Sequence, residues 1–373
     1  MKRRTLITGY GTTSALDHLP HEGDFYDRLS STEAYSAVAP SKVRPVEDQT
    51  FLPLVDDRQF RRADRFSKMA LAASQKTLTS AGLTISPLNQ ERTGMVFNTC
   101  FGPLRTTETY MQKVVENGAR LAPPALFPYT VLNAFTGLIA MSTKAVGSNS
   151  TICGASAFCY GLDLIRQNKD DAMLVGGCEE LTPSLIGRFG ASDKGEQSCR
   201  PNREMVLGEG AAMLLIESYD VAKERRGTPL AEVLDYGSTN AINHSQGPYS
   251  MDSGVIERAM WEALERSQVT PSEIGLFAAG ANGAPGLREA EQEALLRVFG
   301  KEKPPAKIES KKVLGETFGA SESFALISVA CLLARENRGS SEYARNSCPP
   351  LAMVNCYEFG GNVHSIVLRS PTV

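Results

Sequence analysis

The sequence predicts an α/β fold, with a sheet covered by helices on both faces and two similar halves along the chain. Two observations carry this. Through the middle of the chain apolar helical stretches alternate with short apolar strands, at 131–144, 150–153, 156–166, 172–175 and 211–217. Apolar strands between such helices are what a doubly covered sheet requires. The alternation then begins again near Pro229, with strands at 231–236 and 274–279, helices at 253–267, 289–299 and 318–335, and closing strands at 352–355 and 363–368. The halves divide at 1–226 and 227–373, and their similar size suits an old duplication although no short repeat is visible.

The earlier elements follow in order. Residues 5–8 read as a short buried strand closed by the turn residues Gly9-Tyr10-Gly11, and a polar stretch to about Gln59 resembles an insertion or cap. From 64 to 81 the apolar positions Phe66, Met69, Ala70, Ala73, Leu78 and Ala81 recur at helical spacing, and Gly82 stops the helix. Residues 93–98 then read as a strand.

Composition excludes several functions. A net charge of −3 over 373 residues gives no global attraction to nucleic acid. The eight cysteines include no CxxC, and no Cys/His cluster has metal-ligand spacing, so neither a metal nor another cofactor is implied. Free thiols fit a reducing cytoplasm. The start, Met1-Lys2-Arg3-Arg4, is followed by too short an apolar run for a signal peptide, and no apolar stretch approaches the roughly 20 residues of a membrane span.

The chemistry concentrates at Cys153, placed between the strand at 150–152 and the helix from about Ser156 and followed by Gly154 and Ala155. A thiol at a strand-to-helix elbow meets the free N–H groups and partial positive charge of the helix N-terminus, which favours thiolate. Small neighbours leave room for an acyl chain. A free cysteine is more often buried and inert, which is the only reading for Cys159.

The run Asn149-Ser-Thr-Ile-Cys153-Gly-Ala-Ser156, followed by Gly176-Gly177-Cys-Glu179-Glu180, resembles the active-site elbow and next strand of β-ketoacyl-ACP synthases, members of the thiolase fold. Thr8-Gly9-Tyr10-Gly11, Asp64-Arg65-Phe66-Ser67, Arg200-Pro201, Gly208-Glu209-Gly210-Ala211, the loop at 244–248 and Phe359-Gly360-Gly361 extend the resemblance, in order, over nearly the whole chain. It implies a thiolase-like fold layered α-β-α-β-α, with Cys153 at the place of the acyl-accepting cysteine.

The resemblance also implies a Cys-His-His set, in which two histidines polarise a malonyl thioester and stabilise the enolate left by decarboxylation. This sequence has Gly280 at the first histidine position and Glu316 at the second. Lys311 matches the family lysine, while Ala325 replaces the glutamate of the following helix. The chain's four histidines, His18, His21, His244 and His364, lie in neither motif. Glycine offers no donor, and an ionised glutamate would oppose an enolate. In the family's Gly-Phe-Gly-Gly gate Glu358 replaces the first glycine before Phe359, which suggests a stiffer gate.

The reading these residues favour is a chain-length-factor-like subunit. It would pair with a complete ketosynthase subunit as a heterodimer and shape its acyl tunnel in fatty-acid or polyketide-type biosynthesis, with a lean toward the aryl polyene kind. The resemblance places the dimer seam at 123–140, where Phe127 and Phe135 would line the tunnel. Because Cys153 is retained where chain-length factors carry glutamine, an active 3-oxoacyl-ACP synthase or a cysteine-dependent acyltransferase stays open. A third reading is a scaffold that docks acyl carrier protein on Arg61, Arg62, Arg65 and Lys68.

Overall fold

The computed structural model describes residues 2–18, 23–31, 43–55, 58–189, 205–240, 249–284, 286–302, 304–337 and 351–371. The strands are β1 (Thr5–Thr13), β2 (Val43–Arg44), β3 (Thr93–Asn98), β4 (Asn149–Ile152), β5 (Ala172–Glu179), β6 (Leu207–Gly208), β7 (Gly210–Ser218), β8 (Ala231–Asn240), β9 (Leu276–Ala278), β10 (Ala306–Ile308), β11 (Leu351–Tyr357) and β12 (Asn362–Arg369). Ten of them run in the order β10-β9-β11-β12-β8-β1-β7-β5-β3-β4.

Read outward from its middle, that order is one motif used twice. In the first half β4, β3 and β5 are parallel, and β7 and β1 follow antiparallel. In the second half β10, β9 and β11 are parallel, and β12 and β8 follow antiparallel. Three residue pairs between β1 and β8 join the halves. The duplication that the sequence only suggested is therefore explicit in the topology. Helices Ala157–Arg166 and Ser321–Asn337 fill the middle layer. Arg65–Ala81 with Ala134–Thr143 covers one outer face, and Ser253–Ser267 with Leu287–Phe299 covers the other. This is the layered α-β-α-β-α arrangement.

One sequence expectation changes. Gly9 and Gly11 do not end the first strand, since β1 runs through both to Thr13 with an irregularity between Ile7 and Gly9. They are glycines because the helix Arg65–Ala81 lies directly on them: a Cβ at Gly9 would stand 2.5 Å from Ala81 Cβ, and one at Gly11 would stand 2.2 Å from the Ala73 carbonyl oxygen. A close backbone approach, not a turn, sets these residues. The stretch Phe318–Arg335, apolar and long enough to cross a membrane, is 89% buried as the central core helix, in keeping with the expectation of no membrane span.

The helix Leu104–Asn117 escaped the sequence reading. None of its residues is buried, although Leu104, Met111, Val114 and Val115 are apolar.

Candidate active site

β4 is an edge strand, and the chain leaves it at Cys153 to enter the helix Ala157–Arg166. Gly154 makes the elbow possible. Its φ is +65°, and a Cβ there would lie 2.4 Å from the carbonyl oxygen of Phe359. Cys153 is exposed, and its Sγ stands 3.5 Å from the carbonyl oxygen of Cys100.

The helix N-terminus does not activate this thiol. Its N–H groups already have acceptors: Cys159 N donates to Ser156 Oγ at 2.9 Å, and Phe158 N donates to Glu322 Oε2 at 3.4 Å. Ser156 Oγ donates to the same carboxyl group. Glu322 thus occupies the positive end of the helix. Burial, then the carboxylates Glu179 and Glu358, push the Cys153 thiol above its ordinary range, which corrects the expectation of a thiolate.

The two positions that the resemblance aligns with histidines are closed in different ways. At Gly280 a Cβ would lie 2.6 Å from the Asn355 carbonyl oxygen and 2.7 Å from the Tyr357 ring. The ring is anchored, because Tyr357 Oη donates to Glu291 Oε1 at 2.9 Å and Gly280 N donates to the same oxygen at 2.8 Å. Glu316 is pinned through its backbone against β6, its N–H on the Val206 carbonyl and its own carbonyl accepting from Gly208 N. Its carboxylate takes four donors: Lys311 Nζ at 2.9 Å, Phe318 N at 2.7 Å, Asn282 Nδ2 at 2.5 Å and Ser321 Oγ at 2.5 Å. Four donors hold this side chain as a strut.

Carboxylates that the sequence reading had not gathered converge here. Glu179 accepts from Thr99 Oγ1 at 3.0 Å and from the N–H groups of Cys100 and Phe101 at 2.7 and 3.0 Å. Glu358 points inward, accepts from Asn98 Nδ2 at 2.9 Å, and is held well above the ordinary carboxyl range by burial and then by Glu322. Glu322 stands one helical turn before Ala325, which is core. The signal that could have found these residues is an acid inside an otherwise apolar strand or helix, since buried acids are rare without a partner or a role.

Over the elbow sits an aromatic cluster. Phe359, Phe101, Phe189 and Phe318 meet edge to face or tilted, with centroids 5.1–6.1 Å apart. Phe318 carries a φ of +43°, unusual for a bulky residue, and Glu316 holds its N–H in that conformation.

Other expected residues scatter. Phe135 is core, packed 5.1 Å from Phe66 and 5.7 Å from Phe97. Phe127 is 55% exposed. Arg61 and Arg62 are exposed, but Arg65 leaves that surface: it turns inward to Glu209, with Asp48 and the Val46 carbonyl as further acceptors. Lys68 Nζ rests 3.4 Å from the Arg61 carbonyl oxygen. His18 is exposed, and His21, His244 and Arg200-Pro201 lie outside the described residues.

The buried acids set a pH dependence. Burial raises Glu179 and Glu180 from 4.5 to about 7, so the folded state holds these protons more tightly than the unfolded chain. Their contribution is full below 4.5 and is lost as pH rises through 7. His364, buried without a hydrogen-bond partner among the described residues, is held down at about 4 and works oppositely, losing stability as pH falls from 6.5 toward 4. Between pH 8 and 6.5 the carboxyl groups govern, so the urea midpoint is expected to rise on acidification. A flat or falling midpoint would show them ionised at neutrality.

The comparisons with known proteins agree with this site's ancestry. The family model described as "Beta-ketoacyl synthase, N-terminal domain" matches residues 10–222, and "Beta-ketoacyl synthase, C-terminal domain" matches residues 230–337. The 3-oxoacyl-[acyl-carrier-protein] synthase 2 of Staphylococcus aureus is 27% identical over 360 residues, covering 88% of this chain and 86% of its own. Two solved structures share the fold. "The ishigamide ketosynthase/chain length factor" has a TM-score of 0.78 at 21% identity, covering all of both chains. "Ketosynthase (ApeO) in Complex with its Chain Length Factor (ApeC) from Xenorhabdus doucetiae" has 0.74 at 19%, covering 99% of this chain and 98% of the other. With both family models matched in order around an elbow that keeps Cys153, the chain belongs to the β-ketoacyl synthase family.

Proposed function

We propose that this chain is a non-condensing, chain-length-factor-like subunit that pairs with a complete ketosynthase subunit and works with acyl carrier protein. The observation that carries the reading is the double closure of the histidine positions, by Tyr357 and Asn355 at Gly280 and by the saturated carboxylate of Glu316. The charge balance supports it. Among the described residues Glu179, Glu316, Glu322 and Glu358 are buried around the thiol side of the site, and Lys311 is already engaged with Glu316. A malonyl carboxylate would enter a site whose described lysine is already paired and whose neighbouring acids offer it no positive charge.

A partner is supported by the surface beside the elbow. Among the described residues β4 has one edge unpaired, and Phe127, Val131, Leu132 and Met141 stand exposed on the segment before it. An unpaired edge beside an apolar patch suits a protein interface. The ketosynthase and chain length factor complexes of similar fold support a partner of that kind. Arg61 and Arg62 remain candidates for meeting an acidic carrier protein. The short chain and brief stretch before Arg200 favour the polyene type of pathway.

The test is reconstitution. The chain alone and the chain with the ketosynthase encoded beside it would be offered malonyl-ACP and an acyl-ACP primer. The expected result is no decarboxylation or extension by the chain alone and extension by the pair, with Phe127→Ala shifting product length. Turnover by the chain alone would overturn the subunit reading. The solvent-exposed thiol of Cys153 keeps a cysteine-dependent acyltransferase as the second reading, and Cys153→Ala separates them, since a subunit that only shapes the tunnel keeps its activity in the pair.

A further inference from the structure

The ten-stranded sheet has two edge strands, β4 beside the elbow and β10 at the far side. In the first half the space between the edge strand and its helix Ala134–Thr143 is filled. Thr136 Oγ1 meets Thr151 Oγ1 of β4 at 2.6 Å, and Phe135 packs 5.7 Å from Phe97 of β3. In the second half the helix Leu287–Phe299 leans on its neighbour Ser253–Ser267, and a cavity of about 220 Å³ opens between it and the strands. Phe277 of β9 and its register partner Lys307 of β10 lie on one side, while Leu295, Leu296 and Phe299 come from one face of the helix. Pro304 and Pro305 complete the wall, and only Gln292 and Lys307 bring polar side chains to it.

We propose that this cavity is a binding site for an uncharged small aromatic molecule of one or two fused rings. Charge selects against ions of either sign. The wall includes Phe299 and Gly300, where the helix ends, and the negative end of its dipole disfavours an anion. Lys307, which already faces Glu309 at 3.4 Å, disfavours a second cation. An apolar lining also recovers none of the hydration that an ion would lose. A peptide strand is a poor occupant, because β10 has three residues, follows two prolines and carries a lysine, features that keep an edge from pairing. Size and shape favour a ring. A cavity of about 150 Å³ takes one benzene, so this one has room for a second fused ring. Phe277 and Phe299 meet edge to face with centroids 6.3 Å apart and offer a third ring the same kind of packing. The site lies at the opposite edge of the sheet from Cys153, so the assignment holds whether or not the chain works as a subunit.

Indole is the probe, followed by saturation-transfer NMR on the full chain with Cys153 first alkylated by iodoacetamide to block the elbow. The expected result is binding that saturates at about 1 mM or below, with the anion benzoate weaker by about tenfold or more. Leu296 is 40% exposed, so Leu296→Asn should leave the thermal melt unchanged while weakening indole by about tenfold. Leu296→Trp, which fills the cavity from the same position, should do likewise, and Phe127→Ala on the other exposed apolar surface should change nothing. No saturable signal, benzoate binding as tightly as indole, or undiminished binding by both Leu296 variants would overturn the proposal. So would displacement of indole by the added ketosynthase subunit, which would assign the cavity to a side chain of the partner.

Discussion

Gly280→His is expected to destabilise the chain by about 3 kcal/mol or more and to yield no malonyl decarboxylation, with or without Glu316→His. Forcing atoms into a filled site costs about 1–3 kcal/mol where neighbours can shift. Here the obstruction starts at the Cβ, 2.6 Å from a backbone oxygen and 2.7 Å from an aromatic ring. The ring cannot swing away cheaply. Its hydroxyl donates to Glu291 and accepts from Asn355 Nδ2 at 3.4 Å, while Asn355 Oδ1 accepts from Ser365 Oγ at 2.7 Å. Moving Tyr357 strips a donor from a fully buried carboxyl group, at a further cost of about 1–3 kcal/mol. Urea denaturation of Gly280→Ala isolates the Cβ and should already show a loss of about 1–3 kcal/mol. Tyr357→Ala in the Gly280→His background should recover part of the loss by opening space. An unchanged midpoint for Gly280→Ala would mean the ring yields freely and that the closure is no barrier to a histidine.

The same contacts show what the sequence could convey. The elbow was legible because its cause is local: a short strand, a cysteine, two small residues and a capping serine stand in one run of eight. The missing histidines were legible because composition leaves nothing to fill their motifs. What replaced them was not. Tyr357 reaches the space beside Gly280 only because β11 pairs with β9, and Glu322 reaches Ser156 only because two core helices meet end to side. These meetings join residues 77 and 166 positions apart, so no local pattern announces them. Arg65 was misplaced for a related reason. A basic run at a helix start reads as a solvated face, but Glu209 between β6 and β7 draws one member of that run inward. The prediction of an activated thiol failed on competition, since a helix N-terminus helps a sulfur only when no nearer acceptor has taken its N–H groups.

Lys311→Met is expected to be strongly damaging as well, costing about 3–5 kcal/mol. Lys311 and Glu316 are both largely covered, so removing the ammonium group leaves a buried carboxylate without its counter-charge. The three remaining donors soften that loss but carry no full positive charge. Adding Glu316→Gln should therefore restore much of the stability, because the neutral amide can still accept from Phe318 N or Ser321 Oγ. A double-mutant cycle in urea should give a coupling of about 2 kcal/mol, within the range seen for residues that share a network. The damage should also reach Cys153. Glu316 holds Phe318 at its positive φ, and Phe318 packs on Phe101 and Phe359 beside the elbow, so loosening the strut should speed iodoacetamide alkylation of Cys153. If Lys311→Met melts like the parent chain and its thiol reacts no faster, the pair is neither a strut nor a support for the aromatic cluster, and the lysine would have to be assigned to chemistry instead.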